Sequence, residues 1–101
     1  MHIRKRLELI IEKPAMRRAR RVMEEAGVKG YTILPTMGGY GNGMRWQRGT
    51  DLSASRDMVM LISIMDEESA EKVIEKLENL VGSHIGVLSV SDVSVLRPEK
   101  F

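Results

Sequence analysis

The 101-residue sequence predicts an α+β domain in which a four-stranded antiparallel sheet carries two helices on one face. Four apolar segments have strand-like patterns, and two others repeat apolar residues at helical spacing. Their order along the chain is strand, helix, strand, strand, helix, strand. Two strand-helix-strand halves in this order form a ferredoxin-like βαββαβ sandwich. We expect residues 1–101 to form one domain, because this length suits a single hydrophobic core.

The first half begins with a strand around residues 7–11, where Leu7 and Leu9 alternate with charged or mixed positions. Pro14 ends this strand and begins a helix, because proline fits the first helical turn. Apolar residues then recur every three or four positions, at Met16, Ala19, Val22, Met23 and Ala26. Gly27 is expected to cap this helix at its C-terminus. A second strand at residues 31–34 ends at Pro35.

The second half begins with residues 58–65, which read MVMLISIM. A run this apolar predicts a strand covered on both faces. Asp66 is expected to cap a helix that begins at Glu67. The apolar stripe of this helix consists of Ala70, Val73, Ile74, Leu77, Leu80 and Val81. We expect Gly82 to end the helix, with a turn at residues 82–86 and a last strand at residues 87–96.

Two helices cover only one face of such a sheet, so the second face needs another partner. The apolar residues that we assign to this second face are Ile10, Leu61, Met65, Leu88, Val90 and Leu96. The simplest cover for an apolar face of this kind is another copy of the same chain. The sequence therefore predicts a homo-oligomer with the sheets facing inward.

Composition narrows the function classes. The absence of cysteine excludes disulfides and cysteine nucleophiles, and it suits a reducing cytoplasm. The sequence shows no secretory signal and no apolar stretch of membrane-spanning length. The net charge is only +2, although Arg17, Arg18, Arg20 and Arg21 form a cluster. Such a cluster can bind nucleic acid, but it is more often the solvated face of a helix, so we expect no nucleic-acid partner.

Residues suited to catalysis are scarce. The two histidines, His2 and His84, lie far apart, and neither has a second ligand at metal-binding spacing. Ser83 directly precedes His84, and adjacent residues rarely act as a nucleophile and its base. The carboxylates that begin the second helix are explained by the helix dipole. We therefore expect a protein that is not an enzyme, with no catalytic residue, no metal and no obligatory cofactor.

The long loop at residues 37–56 is the best candidate for function, because connections in small domains are usually short. The alternative is a disordered tip without a role. Glycines at positions 38, 39, 41 and 43 let the backbone approach a ligand and present its N–H groups. The turn at residues 82–86 offers a second group of this kind, and Arg97 follows the last strand. Together they predict a phosphate site that is neither a Walker A loop nor a Rossmann fingerprint.

Over essentially its whole length the sequence resembles the PII superfamily of trimeric signalling proteins. The matching segments are residues 27–32 (GVKGYT), 39–41 (GYG), 47–50 (QRGT), 82–86 (GSHIG) and 92–97 (DVSVLR). The resemblance implies a homotrimer that binds an adenine nucleotide in the clefts between subunits. It also implies that residues 37–56, the T-loop of that family, change shape and grip or release a target transporter or enzyme.

The resemblance also assigns roles to single residues. Nucleotide contacts are implied for Thr32, Gly39, Tyr40, Gly41, Gly82, Ser83, His84, Ile85, Gly86 and Arg97. Target contacts in the loop are implied for Tyr40, Arg45, Trp46, Arg48 and Thr50. For Tyr40 and Trp46 the alternative is that the side chains fold back onto the base of the loop.

Departures from the family pattern narrow the expected function. Gln47 stands where nitrogen-control members carry a modified tyrosine, so uridylylation is not expected. Val87 and Glu99 stand near the positions of two family cations, so we expect ADP or AMP to be favoured over ATP. These features look like the PII-like branch linked to bicarbonate transport and carboxysomes. That branch implies bicarbonate as a second candidate ligand, and a location in the cytoplasm, at a carboxysome or beside a membrane transporter.

Three other functions remain open at this point. One is a nitrogen-regulation protein of the PII type. Another is an RNA-binding module of the same topology, which would stack bases on aromatic residues of its central strands. Residues 7–11 and 87–93, which we take as those strands, contain no aromatic residue. The last is a trimeric metal-tolerance protein, for which metal-ligating residues are scarce.

Overall fold

The computed structural model describes residues 1–41, 43–48, 57–84 and 86–101. The strands are β1 (His2–Glu12), β2 (Thr32–Pro35), β3 (Gly38–Gly41), β4 (Met44–Gln47), β5 (Met58–Met65) and β6 (Gly86–Val95). The α-helices are α1 (Met16–Glu25) and α2 (Glu67–Ser83), and 3₁₀ helices cover Lys13–Ala15 and Pro98–Lys100. One antiparallel sheet has the order β2, β5, β1, β6, which confirms the predicted ferredoxin-like α+β fold.

The hydrophobic core lies between one face of the sheet and the two helices. β1 contributes Leu7, Leu9 and Ile11, which are fully buried. They share a face because successive side chains of a strand point to opposite sides. Met23 of α1 and Leu77 of α2 are equally buried and belong to the same cluster. The helices therefore cover one face of the sheet, as the apolar spacing in both helices predicts.

The helix ends follow local signals with one exception. Asp66 accepts a hydrogen bond from the backbone N–H of Ser69 at 2.7 Å, which confirms it as the N-cap of α2. Gly27 has a φ of 74°, the left-handed conformation that glycine adopts without strain. The predicted end of the second helix is wrong, because α2 continues through Ser83. Gly82 does not adopt a left-handed φ, so the helical turn runs on through it.

The predicted assignment of residues to the two faces of the sheet is partly wrong. Leu9 pairs with Leu61 in β5 and with Leu88 in β6, so all three point toward the helices. The same register places Met65 and Val90 on the helix side. Nearly every residue at positions 58–65 is apolar, so the sequence lacks an alternation that would distinguish the faces. Only the pairing with β1 decides which residues are covered.

The second face, opposite the helices, is built from the other residues of the same strands. Its partly or largely exposed apolar side chains are Ile10, Leu34, Met60, Ile62, Ile64, Val87 and Val93. Ile10 lies there as predicted. Leu96 follows the end of β6 and is 81% exposed. The described chain therefore leaves an apolar sheet face without cover.

The long loop contains more regular structure than the sequence indicates. β3 and β4 pair as a hairpin, with Gly38 opposite Gln47 and Gly41 opposite Met44. This segment shows little alternation of apolar and polar residues, which is why no strand is predicted there.

The prediction that residues 87–93 form a central strand is wrong. Among the described strands β6 pairs only with β1, so it is an outer strand, and the central strands are β1 and β5.

Candidate functional site

The base of the long loop is held by a short hydrogen-bond chain. The Thr36 hydroxyl donates to the Met58 carbonyl oxygen at 2.6 Å, and the Thr36 backbone N–H reaches the same oxygen at 3.4 Å. Trp46 Nε1 in turn donates to Thr36 Oγ1 at 3.1 Å. Thr36 lies just after β2 and Met58 begins β5, so these bonds join the two ends of the loop. Trp46 thereby ties the hairpin to the sheet.

The two faces of the hairpin have different surroundings. Gly39 lies opposite Trp46, and a Cβ atom at Gly39 would lie 2.5 Å from the indole ring. Only glycine therefore leaves room for the ring at this position. Tyr40 pairs with Arg45 on the other face, where Tyr40 is 75% exposed and Arg45 is also exposed. Of the two aromatic residues among the expected target contacts, Trp46 folds back onto the loop base, whereas Tyr40 faces outward.

Arg48 closes the hairpin at its other end. Its backbone N–H donates to the Met37 carbonyl oxygen at 2.9 Å, while its side chain is exposed. A pocket of about 290 Å³ opens beside it, lined by Lys13, Ile33, Pro35, Thr36, Arg48, Asp57, Met58 and Val59. The backbone N–H of Lys13 donates to the Asp57 carbonyl oxygen at 2.9 Å, which anchors the returning end of the loop. Thr50 lies outside the described residues.

The predicted glycine turn after the second helix has an ordered beginning. Gly82 and Ser83 belong to the last turn of α2, and the Ser83 hydroxyl lies 3.2 Å from the carbonyl oxygens of both Asn79 and Leu80. His84 follows the helix, and its Nδ1 lies 2.9 Å from Glu12 Oε1. Both side chains are about three-quarters buried. This contact joins the turn to the end of β1.

Gly86 begins β6 and approaches β1 closely. A Cβ atom there would lie 2.8 Å from Ile11 Cγ1 and 2.9 Å from the Ile10 carbonyl oxygen, so a larger residue would displace the strand. Ile85, predicted to contact nucleotide, lies outside the described residues. His84 is thus held by its contact with Glu12, and Gly86 by its pairing with β1.

The loop base and the His84 turn lie along the same edge of the sheet, the one at which β1 and β2 end and β5 and β6 begin. β2 and β6 are separated by β5 and β1, so the two features are roughly 14 Å apart at the usual strand spacing. Thr32 begins the outer strand β2, where it lies on the second face and pairs with Ile62. Both glycine-containing segments therefore lie at this edge.

Arg97 lies at the opposite edge of the sheet, the one at which β1 and β2 begin and β5 and β6 end. β6 runs from Gly86 to Val95, a length on the order of 30 Å for an extended strand, and Arg97 follows it. The segment that contains Arg97 is tied down at that far edge, because Lys29 Nζ donates to the Glu99 carbonyl oxygen at 2.9 Å. Within one chain, Arg97 cannot contact a ligand that is held by the His84 turn.

Sequence reasoning missed several residues that organise this edge, namely Glu12, Lys13, Thr36, Asp57 and Met58. They do not match a motif, because their roles depend on contacts between distant segments. Pro14 and Pro35 do mark the strand ends beside which two of these residues lie. In the described part of the chain, no three His, Asp or Glu residues are placed to hold a metal ion. Neither described helix is long and apolar enough to cross a membrane.

Comparisons with known proteins agree with this architecture. The family described as nitrogen regulatory protein P-II matches residues 4–100. A structure of CPII, a nitrogen regulatory PII-like protein from Thiomonas intermedia K12 bound to ADP, AMP and bicarbonate, superposes with a TM-score of 0.90. It is 31% identical and covers 99% of this chain and 94% of its own.

Two further proteins are more distant. A structure described as a PII-like signalling protein from Thermus thermophilus has a TM-score of 0.79 and 27% identity, and covers 98% of this chain and 95% of its own. A UPF0166 protein from Aquifex aeolicus (strain VF5) is 29% identical over 73 residues, or 72% of this chain and 68% of that protein. With almost the whole chain matched by the family, the protein belongs to the PII family of nitrogen regulatory proteins.

Proposed function

We propose that the protein is a homotrimeric sensor of adenine nucleotides that signals through its long loop. One observation carries this proposal: the glycine-rich hairpin and the His84 turn share one sheet edge, whereas Arg97 lies at the other. If these groups serve one site, that site is completed by a neighbouring copy. The uncovered apolar face of the sheet supplies a surface on which such copies can pack.

The phosphate end of the proposed site is formed by backbone N–H groups and one cation, Arg97. Gly39 and Gly41 belong to an exposed strand whose backbone a ligand can approach, and Gly86 enters the sheet beside the His84 turn. Arg97 from the neighbouring copy supplies the charge that pairs with phosphate. Val87 and Glu99 replace two further cations of the family pattern, so the proposal favours ADP or AMP over ATP.

The position of Gly82 and Ser83 adds a condition to this proposal. Both belong to the last turn of α2, where backbone N–H groups normally bond to carbonyls one turn earlier. A phosphate that accepts hydrogen bonds from these two N–H groups therefore requires the last helical turn to open. His84 lies just beyond the helix, and its side chain is already engaged by Glu12.

Bicarbonate enters the proposal through a relative. CPII from Thiomonas intermedia K12, 31% identical to this chain, is described as bound to ADP, AMP and bicarbonate. We propose the same combination here, with bicarbonate altering nucleotide affinity. The expected output is a change in the hairpin, whose exposed Tyr40, Arg45 and Arg48 would contact a transporter or enzyme target in the cytoplasm or at a carboxysome. Signalling of this kind does not require turnover of the nucleotide.

Titration calorimetry with AMP, ADP and ATP, each with and without bicarbonate, tests the proposal. Binding of ADP or AMP that is tighter than binding of ATP, and altered by bicarbonate, is the expected result. Sedimentation of the same sample reports whether the protein is a trimer. A trimer that binds none of the three nucleotides would refute the sensing function while leaving the fold and its assembly intact.

A further inference from the structure

A row of exposed cations extends from the loop base along α1. We define the cationic strip as Arg48, Lys13, Arg17, Arg18 and Arg21, all of which have exposed side chains. Arg48 and Lys13 line the same pocket, and Lys13 begins the 3₁₀ helix that leads directly into α1. Arg17 and Arg21 are one helical turn apart, about 6 Å along the axis. The strip is thus continuous with the proposed target-binding loop.

The position of these cations is unfavourable for the helix. Arg17 and Arg18 lie in the first turn of α1, which has no acidic residue, and the last turn has no basic residue. The positive end of the helix dipole repels cations in this position. α2 of the same chain follows the opposite rule, with the Asp66 cap and acidic residues in its first turn. Helix stability therefore does not explain Arg17 and Arg18.

Arg17, Arg18 and Arg21 have no ion-pair partner among the described residues. Among the described residues, the ion pairs join Lys5 with Asp92, Arg6 with Glu8, Lys72 with Glu68, and His84 with Glu12. None of them involves the cationic strip. The positive charge of the strip is therefore available to an external anion along more than one turn of helix.

The neighbouring helix limits what that anion can be. α1 packs against α2, whose exposed acidic residues are Glu67, Glu68, Glu71, Glu75 and Glu78. A broad anionic surface laid over both helices would meet this negative charge. α1 has no free apolar face to insert into a membrane either, because Met16, Ala19 and Met23 are buried in the core. The strip thus suits a narrow anionic partner that follows one helix.

From this we infer that the cationic strip is a second docking surface for the target of the long loop, and that it binds an acidic polypeptide segment. The inference rests on the proposed signalling function, since it extends the target contact from the hairpin onto α1. Carboxylates of the partner would pair with Arg17 and Arg21 while the hairpin holds the adjoining part of the same partner. Charge pairing of this kind mainly raises the association rate and selects the partner.

Fluorescence anisotropy with a labelled oligoglutamate peptide tests the inference in the intact protein. The double variant R17Q/R21Q should bind the peptide roughly fivefold more weakly at low salt, as expected for two exposed ion pairs. The matched control K72Q/K76Q removes the same charge from α2 and should leave binding unchanged or only slightly weaker. The α1 variant should fold normally, because both side chains are exposed and Arg17 lies in an unfavourable position at the start of the helix.

Several results would overturn the inference. The first is that the wild type does not bind the peptide, and the second is that both double variants weaken binding equally. The third is that duplex DNA or phosphatidylglycerol vesicles bind more tightly than the peptide, and that the R17Q/R21Q change abolishes this binding. Self-association at low salt that the same change abolishes would instead identify the acidic α2 of a second copy as the partner. ADP titration of R17Q/R21Q separates the two proposals, because nucleotide binding should be unaffected whatever the peptide does.

Discussion

Trp46 Nε1 donates a hydrogen bond to Thr36 Oγ1 at 3.1 Å, and the Thr36 hydroxyl donates onward to the Met58 carbonyl oxygen. One hydroxyl group thereby joins the point where the loop leaves the sheet, the point where it returns, and the hairpin between them. The indole ring lies against Gly39, which leaves it space. The hairpin position observed here therefore depends on a bond that a ligand or a target can break.

Replacement of Thr36 by valine tests this bond. Valine keeps the shape of the side chain but leaves the indole N–H without its acceptor, so the docked hairpin should be destabilised by roughly 1–3 kcal/mol. Trp46 is the single tryptophan, so its fluorescence reports the change directly. We expect a red-shifted emission and greater access to a soluble quencher. Thr32→Val is the matched control, and an unaltered spectrum in Thr36→Val would show that the hydroxyl does not hold the indole.

Leu61 and Ile62 are neighbours on opposite faces of β5, so variants at the two positions should affect folding and assembly separately. Leu61 is fully buried beneath the helices, so Leu61→Glu should destabilise the fold by on the order of 3–5 kcal/mol. Ile62 lies on the uncovered face, so Ile62→Glu should leave each chain folded but prevent association. Urea denaturation measures the first effect and sedimentation the second, with the exposed Lys72→Glu as a control. A trimer of normal size in Ile62→Glu would mean that this face is not the interface.

Arg97 should contribute to nucleotide affinity from a neighbouring copy. We expect Arg97→Ala to weaken ADP binding by roughly 1–3 kcal/mol through loss of a charge-assisted hydrogen bond to phosphate. Lys100→Ala removes a charge from the same segment and should have little effect. The Ile62→Glu monomer retains Arg97, yet it should also lose affinity because no neighbour completes the site. Full affinity in that monomer would place the site within one chain.

Asp66 should make stability depend on pH. The hydrogen bond from the Ser69 backbone N–H lowers the pKa of the Asp66 carboxyl below its ordinary value of 3.8. The unfolded chain therefore takes up the proton first, and the stabilisation is present above pH 3.8 and is lost as the pH falls through the lower folded pKa. Asp66→Ala should cost about 1 kcal/mol of unfolding free energy at neutral pH. Urea denaturation of both proteins across the acidic range should show this difference shrinking, and a constant difference would contradict the role of the charge.

Local sequence determined the four strands of the main sheet, the two α-helices and their order. The apolar spacing of both helices, the Asp66 cap and the left-handed Gly27 depend on residues within a few positions of one another, so they are legible in the chain itself. The two glycine-containing segments can likewise be identified from the sequence, because their glycines lie close together. Their shared edge follows from the predicted topology.

Tertiary structure decided which residues meet across the chain. The pairing of Leu9 with Leu61 chooses the covered face of β5, and the contact of Trp46 with Thr36 turns an apparently irregular loop into a docked hairpin. Glu12 and His84 are 72 positions apart and meet only because β1 and β6 pair. Such contacts depend on strand register and packing, which arise when distant segments fold together and leave no periodic pattern in the sequence.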